Sequence, residues 1–125
     1  MMINHKVSFV SIGVFFLLTL SVLSQNTKID SLMGVVERGT KDTVMVTVLN
    51  NLSSEILRGG DIDESLIYGE KALELATRLK YLKGKAYSLK QIGMANYYKG
   101  NYLEVFDNWT KSLENFEMIK DSIGI

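Results

Sequence analysis

Two stretches of the sequence determine the predicted fold, because the second nearly repeats the first. Residues 49–84 read LNNLSSEILRGGDIDESLIYGEKALELATRLKYLKG, and residues 89–124 read LKQIGMANYYKGNYLEVFDNWTKSLENFEMIKDSIG. A shift of forty residues brings glycines onto glycines and apolar positions onto apolar positions, as in a repeat protein. The identical pairs are Leu49 and Leu89, Gly60 and Gly100, Glu64 and Glu104, Lys71 and Lys111, Leu73-Glu74 and Leu113-Glu114, Lys80 and Lys120, and Gly84 and Gly124.

Each copy has the pattern of two helices joined by a tight turn. Apolar residues recur at helical spacing on both sides of Gly60 and Gly100. Glycine accepts the positive φ that such turns need, and Asp61 can cap the helix that follows. No segment alternates with period two over a useful length, so the mature chain is predicted to be all-α. The predicted helices cover Asn26 to Glu37, Asp42 or Thr43 to about Leu57, Asp61 to Leu79, Ala86 to Tyr97 and Tyr102 to Ile119, with breaks at Gly39-Thr40 and Lys83-Gly84.

The phasing within each copy resembles that of the tetratricopeptide repeat (TPR). A spacing of forty residues alone would also suit HEAT or armadillo repeats, and the phasing favours TPR. The resemblance covers residues 46–119 and implies antiparallel helix hairpins stacked as a short right-handed α-solenoid, with an extended second helix and connector. The matching segments are Leu49-x-x-Leu52-Ser53, Gly60-Asp61-Ile62 and Ala72-Leu73 in the first copy, and Leu89-x-x-Ile92-Gly93, Gly100-Asn101-Tyr102 and Trp109-x-x-Ser112-Leu113 in the second.

Two positions bear on how tightly the copies pack. Gly69 stands where the family usually has an aromatic residue, and glycine inside a helix costs about 1 kcal/mol relative to alanine. We therefore expect loose packing in the first copy. Trp109 shares the apolar face of the fifth predicted helix with Val105, Phe106 and Leu113, so all four are expected in the core.

The first 24 residues have the composition of a secretory signal peptide. A short segment with Lys6 precedes an uncharged run that ends at Leu23, and Ser24 allows cleavage directly after it. An uncleaved membrane anchor is the alternative, because residues 7–27 carry no charge and are long enough to span a bilayer. Both interpretations place the rest of the chain on the periplasmic or extracellular side of a bacterial membrane.

The start of the mature chain resembles a group of exported bacterial proteins, in Ile29-Asp30-Ser31-Leu32 and Thr40-Lys41-Asp42-Thr43 before the repeats. In that group, TPR units precede a transmembrane helix and a cytoplasmic output, often a sensor histidine kinase. The resemblance implies an alternative function, the sensory N-terminal region of such a kinase or of another membrane-linked regulator. The predicted units are 1–24 as signal peptide or anchor, 25–42 as a short leading helix and linker, 43–80 and 81–120 as TPR-like repeats, and 121–125 as the start of a truncated third repeat in a fragment of a longer protein.

The composition argues against an enzyme. The chain has no Cys, and its single histidine, His5, lies in the signal segment, so cysteine and histidine catalysis and most zinc sites are excluded from the mature chain. Asp61, Asp63 and Glu64 lack the ligand spacing of a calcium loop and are expected to support a helix N-terminus. Lys+Arg and Asp+Glu are both 14, so no basic surplus favours a nucleic acid. We expect no cofactor and no metal, and contact with a membrane only through an uncleaved N-terminal segment.

The TPR resemblance also implies a binding surface, because the first helices of successive repeats line a concave face of such arrays. Aromatic, cationic and thioether groups suit a peptide-binding surface. The alternative for Met94 and Tyr97 is packing against a third repeat. The sequence therefore predicts a non-enzymatic module that binds a protein or peptide outside the cytoplasm. The candidate groove residues are Asn50, Ser54, Tyr87, Lys90, Met94 and Tyr97, flanked by Thr47 and Leu57.

Overall fold

The computed structural model describes residues 5–123, with side chains for residues 12–20 and 23–122. This part of the chain forms five helices and no strand, which confirms the all-α prediction. The helices are α1 (His5–Glu37), α2 (Thr43–Arg58), α3 (Ile62–Arg78), α4 (Leu82–Lys99) and α5 (Tyr102–Ile123). Consecutive helices pack on each other, and α2 also contacts α4.

The first helix is longer than the sequence pattern predicts. We expected a separate helix from Asn26, but α1 runs through that position as one helix of 33 residues. The polar residues around Ser24 are compatible with helical backbone, and the absence of proline lets the hydrogen-bond ladder continue. Residues Ile12–Glu37 are long and apolar enough to cross a membrane, which is compatible with a signal sequence or a membrane span. Cleavage after Ser24 stays a prediction.

The second half of α1 packs against α2. Gln25 Nε2 donates a hydrogen bond to the main-chain oxygen of Glu55 at 3.2 Å. The buried carboxylate of Glu55 accepts from Lys28 Nζ at 2.6 Å and from Arg58 at 3.0 Å, so two cations compensate its burial. These polar contacts, with the partly buried apolar side chains of the same segment, attach α1 to the helices that follow.

Aspartate caps and turn glycines mark several of the helix starts. Asp42 Oδ1 accepts from the main-chain N–H of Met45 at 3.0 Å, which caps α2, and Asp61 Oδ1 caps α3 in the same way. Gly60 and Gly100 have φ of 93° and 84°, the left-handed conformation that glycine adopts without strain. The two turns predicted at these glycines are therefore present, and each is followed by a helix.

The predicted break at Lys83-Gly84 is wrong. The turn lies earlier, between the end of α3 and Tyr81, whose main-chain N–H donates to the carbonyl of Ala76 at 2.9 Å. Lys83 and Gly84 belong to the first turn of α4. A Cβ atom at Gly84 would lie 2.6 Å from Cγ1 of Val46 and would collide with the Tyr81 ring. Glycine is thus needed here for close helix packing, and the connector after α3 is short rather than extended.

The first copy is tightly packed, contrary to the expectation drawn from Gly69. Ser53 and Ser65 each donate a side-chain hydrogen bond of 2.8 Å to the other's main-chain oxygen, which holds α2 close to α3. A Cβ atom at Gly69 would lie 3.0 Å from Cγ1 of Ile92, so the missing side chain lets α4 approach α3. The core residues of this region are Met45, Val46, Leu49, Leu52, Ile56, Tyr68, Ala72, Leu75 and Ala76.

The outer face of α5 differs from the prediction. Val105 is buried as expected, but Phe106 is 75% exposed, Leu113 is 59% exposed and Trp109 is 39% exposed. Trp109 covers Gly93, and its indole N–H donates to the carbonyl of Lys90 at 3.3 Å. The four equivalent positions on α3 are half-buried or buried, and α4 packs on that helix; they are Ser65, Leu66, Gly69 and Leu73. On α5, α4 packs only on the side with Val105 and Trp109, and within residues 5–123 no later helix covers Phe106 and Leu113.

Candidate functional site

A cavity of about 390 Å³ lies between α2 and α4. Both helices pack on α3, which brings corresponding faces of the two repeat copies side by side. The cavity volume falls in the range of small-ligand sites. The lining residues are Thr47, Asn50, Asn51 and Ser54 from α2, Tyr81 from the turn, and Lys83, Gly84, Tyr87, Lys90 and Gln91 from α4.

Four of the six candidate groove residues meet in this cavity, namely Asn50, Ser54, Tyr87 and Lys90, and the flanking Thr47 joins them. The other candidates lie elsewhere: Met94 is half-buried outside the cavity. Tyr97 stacks on Trp109 with ring centroids 6.4 Å apart and is 50% exposed. Leu57 does not line the cavity either. The candidate residues on α4 are thus divided: Tyr87 and Lys90 face α2 across the cavity, whereas Met94 and Tyr97 do not.

Sequence reasoning missed five lining residues: Asn51, Tyr81, Lys83, Gly84 and Gln91. Two of them, Lys83 and Gly84, form the break that the sequence pattern wrongly predicts, and Tyr81 directly precedes α4. The repeat itself contained the signal, because a shift of forty residues aligns Lys83 with the first residue of α2 and Gln91 with Asn51. The repeat therefore predicts that α4 begins at the position equivalent to the first residue of α2.

Asn50 contributes to this site a buried side-chain oxygen that accepts no hydrogen bond from the described residues. The residue is buried, with 7% exposure, and Nδ2 donates to the Gly84 carbonyl at a long 3.4 Å. The same carbonyl accepts a shorter hydrogen bond of 2.9 Å from Ser88. Oδ1 of Asn50 is buried and has no hydrogen-bond partner within the described chain. Leaving such an acceptor unsatisfied costs about 1–3 kcal/mol, so a donor at this point would be stabilising.

The charged groups of the lining are both cationic. Lys83 and Lys90 are exposed side chains on α4, and none of the ten lining residues is acidic. Neither amine forms an ion pair with any residue that the structure describes. On the same helix, by contrast, Lys99 Nζ bonds Asp63 at 2.7 Å. The cavity therefore combines a positive potential with amide and hydroxyl groups.

Aromatic contacts hold one wall of the cavity. The ring of Tyr87 meets the ring of Phe116 edge-on, with centroids 5.2 Å apart, a favourable geometry for two aromatic rings. Tyr87 keeps 41% exposure and lines the cavity, while Phe116 on α5 supports its ring. Tyr81 is half-buried at the base of α4. The wall thus offers apolar surface in a fixed position.

Metal-binding clusters and shifted pKa values are two further properties of the described residues. No group of three or more His, Asp or Glu side chains could hold a metal ion in this part of the chain. Burial, with a smaller contribution from the charge of Glu64, raises the pKa of Tyr68 above 10.0. Tyr68 lies on α3 outside the cavity, and its hydroxyl donates to Sδ of Met33 at 3.2 Å. Its raised pKa therefore reflects burial in the helix packing and belongs to no group of the cavity.

Comparison of the chain with family models, with curated proteins and with solved structures finds no match in any of the three.

Proposed function

We propose that this protein binds an extended peptide or protein segment in the cavity between α2 and α4, and that α2–α5 form two TPR-like units outside the cytoplasm. The observation that carries the proposal is the cavity itself. It brings an unpaired buried acceptor, two unpaired cations and a supported tyrosine ring into one volume of about 390 Å³. Polar groups in fixed positions beside apolar surface are what a peptide-binding site requires.

The repeat supports the same proposal. The cavity lies where equivalent faces of α2 and α4 meet, and each of these helices begins a copy of the repeated unit. Most of the wall is built on α2 and α4, whose packing holds the main chain in place, so little main-chain entropy is lost when a ligand binds. The apolar helix α1 is compatible with export, which would present the cavity to partners outside the cytoplasm.

The test uses the full chain in a non-ionic detergent that shields the exposed apolar residues of α1. A synthetic array of short random peptides is probed with the wild-type protein and with Ser54→Trp, which fills the cavity. Thr110→Trp, an exposed position on α5, is the matched control. We expect a set of peptides that bind the wild type and the Thr110→Trp variant but do not bind the Ser54→Trp variant. Equal binding by all three proteins, or by none, would overturn the proposal, and thermal unfolding checks that both variants remain folded.

A further inference from the structure

We propose that the exposed aromatic surface where α4 meets α5 is the interface of a two-fold symmetric dimer, so that its occupant is a second copy of this chain. This surface shares no residue with the cavity, and the inference stands independently of the proposed function. The surface, called the α5 patch below, consists of Tyr97, Tyr98, Tyr102, Leu103, Phe106 and Trp109.

The area of the α5 patch suits a dimer. Leu103 is 85% exposed, Phe106 is 75% exposed and Tyr102 is 67% exposed, and each of the other three residues keeps at least 39%. Since an aromatic side chain has about 150–250 Å² of surface, the five aromatic residues together expose roughly 450–750 Å². The largest apolar patch of a typical monomer is about 300–600 Å², whereas a stable interface takes about 800 Å² from each partner. With Leu103 included, the α5 patch approaches the area that a dimer needs.

The rings of the α5 patch are held in place before any partner binds. Tyr97 stacks on Trp109 with ring centroids 6.4 Å apart, and Tyr102 meets Tyr97 edge-on at 6.1 Å. The indole N–H of Trp109 donates to the carbonyl of Lys90, which fixes that ring. Large aromatic side chains in fixed positions lose little conformational entropy on binding, and such residues typically contribute most of the affinity of an interface.

The spacing of the patch along α5 fits a symmetric pair. Leu103 and Trp109 each lie three residues from Phe106, in opposite directions along the helix. When two α5 helices pack antiparallel with Phe106 at the centre, each Phe106 meets its counterpart, and Leu103 of each copy lies level with Trp109 of the other. Such an isologous contact covers both patches at once, so the assembly closes at two copies. The antiparallel arrangement also brings opposite ends of the two helix dipoles together.

The charged residues of α5 are compatible with this contact. Asp107 is compensated by Lys111 Nζ at 2.7 Å, and Glu104, two residues from Phe106, lies on another face of the helix. The remaining carboxylates of α5 follow residue 113, whereas the overlap of two helices centred on Phe106 ends near residue 110 because α5 begins at Tyr102. In total α5 carries five carboxylates and two amines, so an anionic lipid surface would repel it. These charges favour a protein partner over a membrane.

The test uses the absence of cysteine from the chain. Thr110→Cys places one thiol on an exposed site of α5 beside the patch, and Thr77→Cys places one on an exposed site of α3 as the control. Both variants of the full chain are produced in intact bacterial cells and treated with the crosslinker bismaleimidohexane before any detergent is added, because detergent would cover the patch. Residue 110 lies four residues from Phe106, so the two thiols of the proposed dimer are roughly 12 Å apart along the helices, within reach of the crosslinker. We expect a product of twice the chain mass from Thr110→Cys alone.

Two further variants, made in the Thr110→Cys background, test the patch itself. Phe106→Glu puts a charge at the centre of the proposed interface and should reduce the product at least about tenfold, since a central aromatic residue contributes that much to affinity. Ile67→Glu, at a 50% exposed position on α3, makes the same kind of change outside the patch and should leave the product unchanged. Circular dichroism of the purified variants checks that both remain helical. When copies with two different epitope tags are co-expressed, capture of one tag should recover the other in the crosslinked product.

Three results would overturn the inference. The first is no product of doubled mass from Thr110→Cys, or an equal amount from Thr77→Cys, which would indicate random collision. The second is a product that contains a different protein in place of a second copy, which would assign the α5 patch to another partner. The third is an unchanged amount of product in the Phe106→Glu variant.

Discussion

Gly84→Ala is expected to destabilise the protein, although alanine is the better helix former. The substitution adds one methyl group in the first turn of α4, at a buried position. The new Cβ would lie 2.6 Å from Cγ1 of Val46, which is itself fully buried, and would collide with the Tyr81 ring. Favourable carbon–carbon separations are about 3.5–4.0 Å, so α2 and α4 would have to move apart.

The magnitude follows from two opposing effects. Replacing glycine by alanine inside a helix contributes about 1 kcal/mol of stability. Overpacking a well-packed core costs about 1–3 kcal/mol and occasionally more. Tyr81 can turn aside because it is only half-buried, but Val46 has no space to move into. We therefore expect the upper part of that cost and a net loss of about 1–2 kcal/mol.

The matched control is Gly34→Ala on α1, where a Cβ would meet nothing within 4 Å. It should raise the free energy of unfolding by about 0.5–1 kcal/mol through helix propensity alone. The assay is urea unfolding of the full chain in detergent, in which circular dichroism monitors the loss of helix for the wild type and both variants. If Gly84→Ala proves as stable as Gly34→Ala, the close contact between α2 and α4 is wrong, and with it the geometry of the cavity.

Two further predictions test the packing of the helices. Leu52→Ala should cost about 2–5 kcal/mol because Leu52 is fully buried, whereas Leu113→Ala, at 59% exposure, should stay within about 0.5 kcal/mol in the same unfolding assay; similar losses would show that the outer face of α5 is covered. The free energy of unfolding should also fall as the pH rises above 10.0. In the unfolded chain Tyr68 ionises from that pH upward, whereas burial raises its pKa in the folded chain, so ionisation favours the unfolded state. Tyr68→Phe should make this alkaline loss less steep, and an unchanged slope would contradict the assigned cause.

Part of the cavity follows from the resemblance to TPR units. That resemblance places Asn50, Ser54, Tyr87 and Lys90 on helices that line a concave face, and the structure brings these four residues together. The unpaired Oδ1 atom of Asn50 could not be predicted in this way. Whether a buried amide oxygen finds a donor depends on where distant main-chain atoms lie, and the main-chain group that Asn50 contacts is the Gly84 carbonyl, which accepts from Nδ2 and has no hydrogen to donate to Oδ1.

Gly84 shows why the start of α4 was not predicted from the sequence. A glycine between two helical patterns ends a helix in many proteins, and its sequence neighbours do not reveal a close approach from another helix. The contact with Val46 is made by a residue far away in the sequence, so only the packed structure distinguishes a glycine that ends a helix from one that lets two helices meet.

The sequence by itself determined that the described chain is helical, that turns lie at Gly60 and Gly100, and that the unit repeats after forty residues. These features depend on hydrophobic period, caps and glycine conformation, which act over a few neighbouring residues. Tertiary structure alone decided which apolar faces are buried. The apolar rows of α3 and α5 have similar patterns, and α4 packs on both helices, yet Phe106 and Leu113 of α5 remain exposed while their counterparts Leu66 and Leu73 of α3 are half-buried. Burial is a property of the surface that packs against a residue, and the period of a helix does not specify that surface.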